Sequence, residues 1–120
     1  MPRGANRRAA SGRTTTGAAP RFYYKGNRLK QLRAFCYTVK FGTLTRAAEA
    51  LYLSQPSVSL LLAALESELR CALLERRRRR VTLTVKGQIL YELARPLVEG
   101  LEGLDAAFLA RSGSAQKLQL

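Results

Sequence analysis

Two short stretches hold the residues whose types and spacing could do chemistry. Ser54-Gln55-Pro56-Ser57 is small and polar, with Ser59 and Leu60 close behind. Arg76–Arg80 is a run of five consecutive guanidinium groups. Five adjacent cations repel one another, and an isolated domain gains nothing from holding them together. Phosphates would relieve that repulsion, so the run is read as a polyanion contact, the alternative being a solvated charge run. The formal net charge is +13, with 21 Lys+Arg against 8 Asp+Glu. This excess predicts attraction to nucleic acid, or less readily to an anionic membrane.

Composition also narrows the chemistry. His is absent and carboxylates are few, which removes the usual residues of zinc sites, nucleophile–base triads and imidazole acid–base steps. No enzymatic activity, catalytic residue, metal or cofactor is expected. Cys36 and Cys71 belong to no Cys-x-x-Cys pair, and both read as buried structural thiols rather than a redox pair. No apolar run approaches the length of a bilayer-spanning helix, and no apolar signal core follows Met1, so the expected location is the cytoplasm.

Positioning the two stretches takes several elements. Leu44, Ala47, Ala48 and Leu51 recur at helical spacing, and Tyr52-Leu53 forms a turn. Ser54 then stands as an N-cap with Pro56 in the first helical turn. The helix that follows buries Val58, Leu62, Leu65 and Leu69, and turns Pro56, Ser57, Leu60, Ala63, Ala64 and Ser67 outward. A small, polar front end suits a helix entering a major groove; the bland alternative is an ordinary amphipathic pair in a small bundle. Upstream, Leu29–Phe41 is predicted helical, with Leu29, Leu32, Phe35, Cys36 and Val39 inward, Gly42 as its C-cap and Thr43 capping the next helix. Residues 71–75 and the alternating Val81–Thr84 predict a β-hairpin wing with a basic tip. Thr84 caps a long helix to about Arg111. Along it Leu90, Ala94, Leu97, Leu101, Leu104 and Phe108 alternate spacings of four and three, a coiled-coil seam whose natural partner is a second copy. Pro96 should kink this helix. Residues 112–115 read as a polar linker, and 116–120 as the start of a strand.

The resulting expectation is a mainly α chain: a winged helix-turn-helix, three helices plus a two-stranded wing, over residues 29–87, and a dimerisation helix over 88–111. Residues 1–28 form a basic, acid-free tail expected to be disordered. It reads as a phosphate-tracking arm, a transit peptide or an unselected extension.

TRAAEALYLSQPSVS (Thr45–Ser59), LERRRRRVTLTVKG (Leu74–Gly87) and LYELARPLVEGLEGL (Leu90–Leu104) together resemble the N-terminal region of LysR-type transcriptional regulators. The resemblance implies binding of a partly palindromic double-stranded DNA site as a dimer through the linker helix. It places Gln55, Pro56, Ser57 and Ser59 in the groove, Thr43 and Thr45 near phosphates, and Arg78, Arg79 and Arg80 in the wing. Ser54 and Leu60 join this DNA-facing set. Gln55 is the long amide placed to pair with adenine. Family members usually continue into a small-molecule sensing domain, of which Leu118-Gln119-Leu120 looks like the beginning; no effector site is expected within this chain. The sequence departs from the family pattern at Leu61, usually Gln, at Ala63 and Ala64, commonly polar, at Val85-Lys86, usually an acidic residue or Pro followed by Ala, and at Arg70 and Arg78, usually Gly. These changes predict affinity dominated by phosphate contacts, with modest base discrimination. Two rival readings follow: a truncated module that pairs with full-length relatives, and a remnant that binds DNA only non-specifically.

Overall fold

The computed structural model describes residues 24–119, with side chains to residue 113. Most of the expected tail, residues 1–23, lies outside the described residues. The elements are α1 (Arg28–Phe41), α2 (Leu44–Leu51), α3 (Gln55–Leu69), β1 (Leu74–Arg77), β2 (Arg80–Leu83) and α4 (Val85–Gln119).

Local signals account for most boundaries. α1 stops at Gly42, whose φ of 81° places it in the left-handed region, and the Gly42 N–H bonds back to the Thr38 carbonyl. Only a residue without Cβ takes that conformation at no steric cost. Thr43 is extended, and its hydroxyl accepts from the Arg46 N–H to open α2. Ser54 does the same for α3 through the Ser57 N–H, with Pro56 in the first turn. α2 and α3 meet at 104°, within the range of a helix-turn-helix pair.

The core forms where α1, α2, α3 and the first half of α4 meet. Ala34, Phe35, Leu44, Ala47, Ala48, Leu51, Val58, Leu61, Leu62, Leu65, Leu73, Ala94 and Val98 are buried in it. Phe35 meets Tyr91 of α4 edge-on, with ring centroids 6.3 Å apart. Leu61, at 1 % exposure, packs inward, where a leucine contributes about 1.5–3 kcal/mol relative to an exposed one. Its departure from the family pattern is therefore a packing feature.

The inward faces differ from the expected ones at several positions. Leu29 is 49 % exposed, whereas Gln31 and Thr38 are fully buried. Both buried polar groups are satisfied: Gln31 Nε2 donates to the Tyr24 carbonyl, and Thr38 Oγ1 donates to the Ala34 carbonyl at 2.7 Å. Leu69 is exposed at the C-terminal end of α3 and Ala64 is half-buried. Cys36 is buried and Cys71 half-buried, both as free thiols. Burial pushes the Cys36 thiol up to about 11, with Glu99 adding and Arg95 opposing, so it stays protonated at neutral pH.

β1 and β2 are antiparallel, pairing Leu74 with Leu83, Glu75 with Thr82, Arg76 with Val81 and Arg77 with Arg80. The strands lie further into the arginine run than expected, and only Arg78 and Arg79 form the tip. Thr84 caps α4 by accepting from the Gly87 N–H at 3.0 Å, while its own hydroxyl donates to the Ala72 carbonyl. α4 then continues as one helix past Pro96 to Gln119, about 52 Å at 1.5 Å per residue. Helix thus replaces the expected linker at 112–115 and the expected strand at 116–119. Leu90 and Ala94 pack into the protomer's own core, because the first half of α4 lies along α1. The exposed stripe is instead Ile89, Leu93, Leu97, Leu104 and Phe108, with Leu101 half-buried. Among the described residues, no single helix is long and apolar enough to cross a membrane.

Candidate nucleic-acid interface

Three elements converge on one concave face. The start of α2 contributes Thr43, Leu44, Thr45 and Arg46, the start of α3 contributes Gln55, and the wing contributes Arg76, Arg78, Arg79, Arg80 and Val81. Together they line a groove of about 570 Å³. Its position follows from local constraints. The caps at Thr43 and Ser54 set where α2 and α3 begin, so the front ends of both helices open on the same side. The wing is tied to this side by the Val81 N–H, which donates to the Gly42 carbonyl at 2.9 Å. Its entry is held by Glu66 of α3, whose Oε2 accepts from the N–H groups of Leu73 at 2.8 Å and Leu74 at 3.1 Å.

Gln55 is exposed, and its Oε1 accepts from the Thr45 hydroxyl at 3.4 Å. A carbonyl oxygen has two lone pairs, so this contact orients the amide while leaving one acceptor site and both N–H donors for a ligand. Pro56 and Leu60 lie exposed on the outer face of α3, and Ser57 and Ser59 are half-buried beside them. These four, with Ser54, flank the groove rather than line it. Ser54 and Ser57 are also engaged locally, the Ser54 hydroxyl donating to Ser57 Oγ at 2.9 Å.

The groove is strongly cationic. Arg46, Arg76, Arg78, Arg79 and Arg80 line it together. Among the described residues the ion pairs are Arg28–Glu68 and Arg33–Glu102, and neither takes a groove arginine. Arg46 is the member that sequence reasoning left out. It lies one residue after Thr45 on the exposed side of the first turn of α2, a position that becomes informative only once the wing closes over it.

A helix-turn-helix at 104°, a two-stranded basic wing docked beside it and a long helix leading away define the winged helix-turn-helix class. The description "Bacterial regulatory helix-turn-helix protein, lysR family" matches residues 29–88. The chain belongs to this LysR family of bacterial transcription regulators. The SDS degradation transcriptional activation protein of a Pseudomonas species is 46 % identical over 81 residues, covering 68 % of this chain and 26 % of that protein. The nitrogen assimilation regulatory protein nac of Klebsiella aerogenes is 43 % identical over 74 residues, covering 62 % of this chain and 24 % of its own length. The chain thus spans about a quarter of the length of these relatives. Among solved structures, a BenM DBD/catB site 1 DNA complex is 32 % identical, with a TM-score of 0.61 over 70 % of this chain and 94 % of that one. A CbnR DBD–DNA complex is 34 % identical, with a TM-score of 0.57 over 73 % and 97 %.

Proposed function

We propose that this chain is a sequence-reading, DNA-binding transcription regulator that engages a partly palindromic duplex as a dimer in the cytoplasm. The observation that carries the reading is the groove, which gathers one oriented amide and five guanidinium groups from three elements on one face. The front turn of α3 enters the major groove, with Gln55 paired to an adenine and Ser57, Ser59 and Leu60 against neighbouring base edges. Thr43, Thr45, Arg46 and the wing arginines take phosphates on either side. The DNA complexes formed by the similar BenM and CbnR domains support this docking.

The second protomer is supported by the apolar stripe of α4. Leu93, Leu97 and Phe108 are each about two-thirds exposed, and Ile89, Leu93, Leu97, Leu104 and Phe108 follow spacings of four, four, seven and four, a helix–helix seam. A second copy would cover it. Leu97→Glu is expected to shift the chain from dimer to monomer in sedimentation; an unchanged mass would refute this seam. The same stripe favours a second reading, in which the chain pairs with longer relatives. Mixing with a full-length relative and counting mixed dimers distinguishes the two.

The direct test of DNA reading is selection of bound duplexes from a random library at physiological salt. Two related half-sites at fixed spacing are expected. Retention without sequence enrichment would reduce the groove to a phosphate clamp.

A further inference from the structure

The residues just before α1 are built into the domain. Tyr24 is 7 % exposed and belongs to the hydrophobic core. Its carbonyl accepts from Nε2 of Gln31, which is fully buried. The same Nε2 donates to Glu68 Oε2 at 3.1 Å, and Gln31 Oε1 accepts from Arg28 Nε at 3.1 Å. Both donors and the acceptor of this buried amide are thus engaged. The Gly26 N–H also donates to Glu68 Oε2, at 2.7 Å. Residues 24–28 therefore strap onto α3, the element proposed to enter the groove. Glu68 holds the strap near the C-terminal end of α3. At the front end, the Tyr24 hydroxyl lies 3.5 Å from Ser57 Oγ.

A ring in the core gains nothing from a hydroxyl unless that hydroxyl is bonded. The surroundings of this one give it a use. Ser57 Oγ already accepts from the Ser54 hydroxyl at 2.9 Å. A serine hydroxyl has two acceptor lone pairs and one O–H. The phenol is the stronger donor of the Tyr24–Ser57 pair, so Tyr24 takes the second lone pair and leaves Ser57 only its O–H to offer a duplex. The 3.5 Å separation is long for a hydroxyl pair. It shortens when Ser57 gives its proton to an acceptor, because a hydroxyl that donates becomes a better acceptor. We propose that Tyr24 is a positioning residue for DNA reading: its hydroxyl fixes Ser57 as a hydrogen-bond donor, so that the front of α3 selects base edges that accept. In the major groove guanine, adenine and thymine each present an acceptor, whereas cytosine presents only its N4 amino donor. Cytosine facing Ser57 is therefore disfavoured. This rests on the reading of the groove as a DNA site, and it places part of the base preference in a buried residue upstream of the winged helix-turn-helix.

The test measures binding of the full chain, Tyr24→Phe, Ser57→Ala and the double variant to every single-base variant of a selected half-site. Tyr24→Phe keeps the ring and removes one oxygen, so its melting temperature and its slope of log K against log salt are expected to match the parent. Ser57→Ala should lose discrimination against cytosine at one base pair. Tyr24→Phe should lose about two- to tenfold of that discrimination at the same base pair, the worth of one hydrogen bond, and keep the preference at the pair read by Gln55. With Ser57 already replaced, Tyr24→Phe should change nothing further. Full discrimination retained in Tyr24→Phe, or in Ser57→Ala, overturns the proposal and leaves the groove reading standing. An equal effect of Tyr24→Phe with and without Ser57 also overturns it, since the hydroxyl then acts elsewhere. So does a lowered melt with uniform loss across all bases, which would make the hydroxyl structural. A parent with no base preference at any position overturns the groove reading and this proposal with it.

Discussion

Gln55 and Arg79 line the same groove, and the proposed reading gives them different work. Gln55 is a neutral amide held by Thr45, so its bonds depend on which base edge it meets. Arg79 is a charge at the wing tip, and phosphates are alike at every step. Gln55→Ala is expected to flatten preference at one base pair by about 1–3 kcal/mol. Arg79→Ala should weaken all duplexes about equally and make the salt slope shallower by about 0.9. Binding to a panel of single-base variants checks both, and equal loss of preference in the two mutants would contradict the assignment. Arg70 and Arg78 pose another residue-scale question. Both have positive φ, 59° and 56°, a region that costs a residue with Cβ about 1–2 kcal/mol. Glycine avoids that cost but loses about 0.5–1 kcal/mol of chain entropy. Arg70→Gly should therefore raise stability by a net of about 0.5–1 kcal/mol, read as a higher urea midpoint. Arg78→Gly should do the same while weakening DNA binding, so the wing tip trades stability for charge.

Among the elements, the wing and the start of α4 depend on one close approach. A Cβ on Gly87 would lie 2.0 Å from the Leu73 carbonyl oxygen. Its φ is not in the left-handed region, so space rather than backbone freedom requires glycine there. Gly87→Ala must push α4 away from the entry to β1 and is expected to cost roughly 3 kcal/mol or more. A melting temperature within a degree or two of the parent would refute that. Gly100 and Gly103 behave differently: among the described residues nothing lies within 4 Å of a Cβ built on either. Pro96 lies within α4 without ending it, since one missing ladder bond is outweighed where Ala94 and Val98 pack on either side.

At the scale of the whole molecule, two carboxylates tie distant segments together. Glu102 accepts from Arg33 at 2.6 Å and from the Tyr37 hydroxyl at 3.0 Å, joining α4 to α1. The Arg33 hydrogen bond is the main cause that holds its pKa below the usual carboxylate value, with Tyr37 adding to it. Glu68 is lowered chiefly by the Gly26 N–H, then by Gln31 and Arg28. A carboxyl whose folded pKa is depressed contributes stability that is fully present above its unfolded pKa, about 4.3 for glutamate. That contribution is lost as pH falls through the folded value. Thermal stability should accordingly decline below about pH 4 to 5, and Glu102→Gln should shallow the decline. The Glu68 and Glu102 side chains keep 26 % and 36 % exposure, so solvent screening keeps the effect small. An acid profile identical in parent and variant would show that the α1–α4 clasp contributes nothing.

Sequence by itself determined the elements whose signals are local. The caps at Thr43, Ser54 and Thr84, the left-handed turn at Gly42, and the apolar spacing of α2 each act over three or four residues. The hairpin wing and the cationic character were legible for the same reason, and the family motifs confirmed the order of parts. The tertiary structure decided what depends on partners far along the chain. Gln31 and Thr38 read as surface residues until an acceptor is present for each. Arg46 joins the groove only when the wing docks on Gly42, and Tyr24 leaves the tail only because the core offers its ring a place and the buried Gln31 amide takes its carbonyl. The stripe of α4 moved from Leu90 and Ala94 to Ile89 and Leu93 because helical periodicity gives the spacing of an apolar face, while packing against α1 decides which face is already covered.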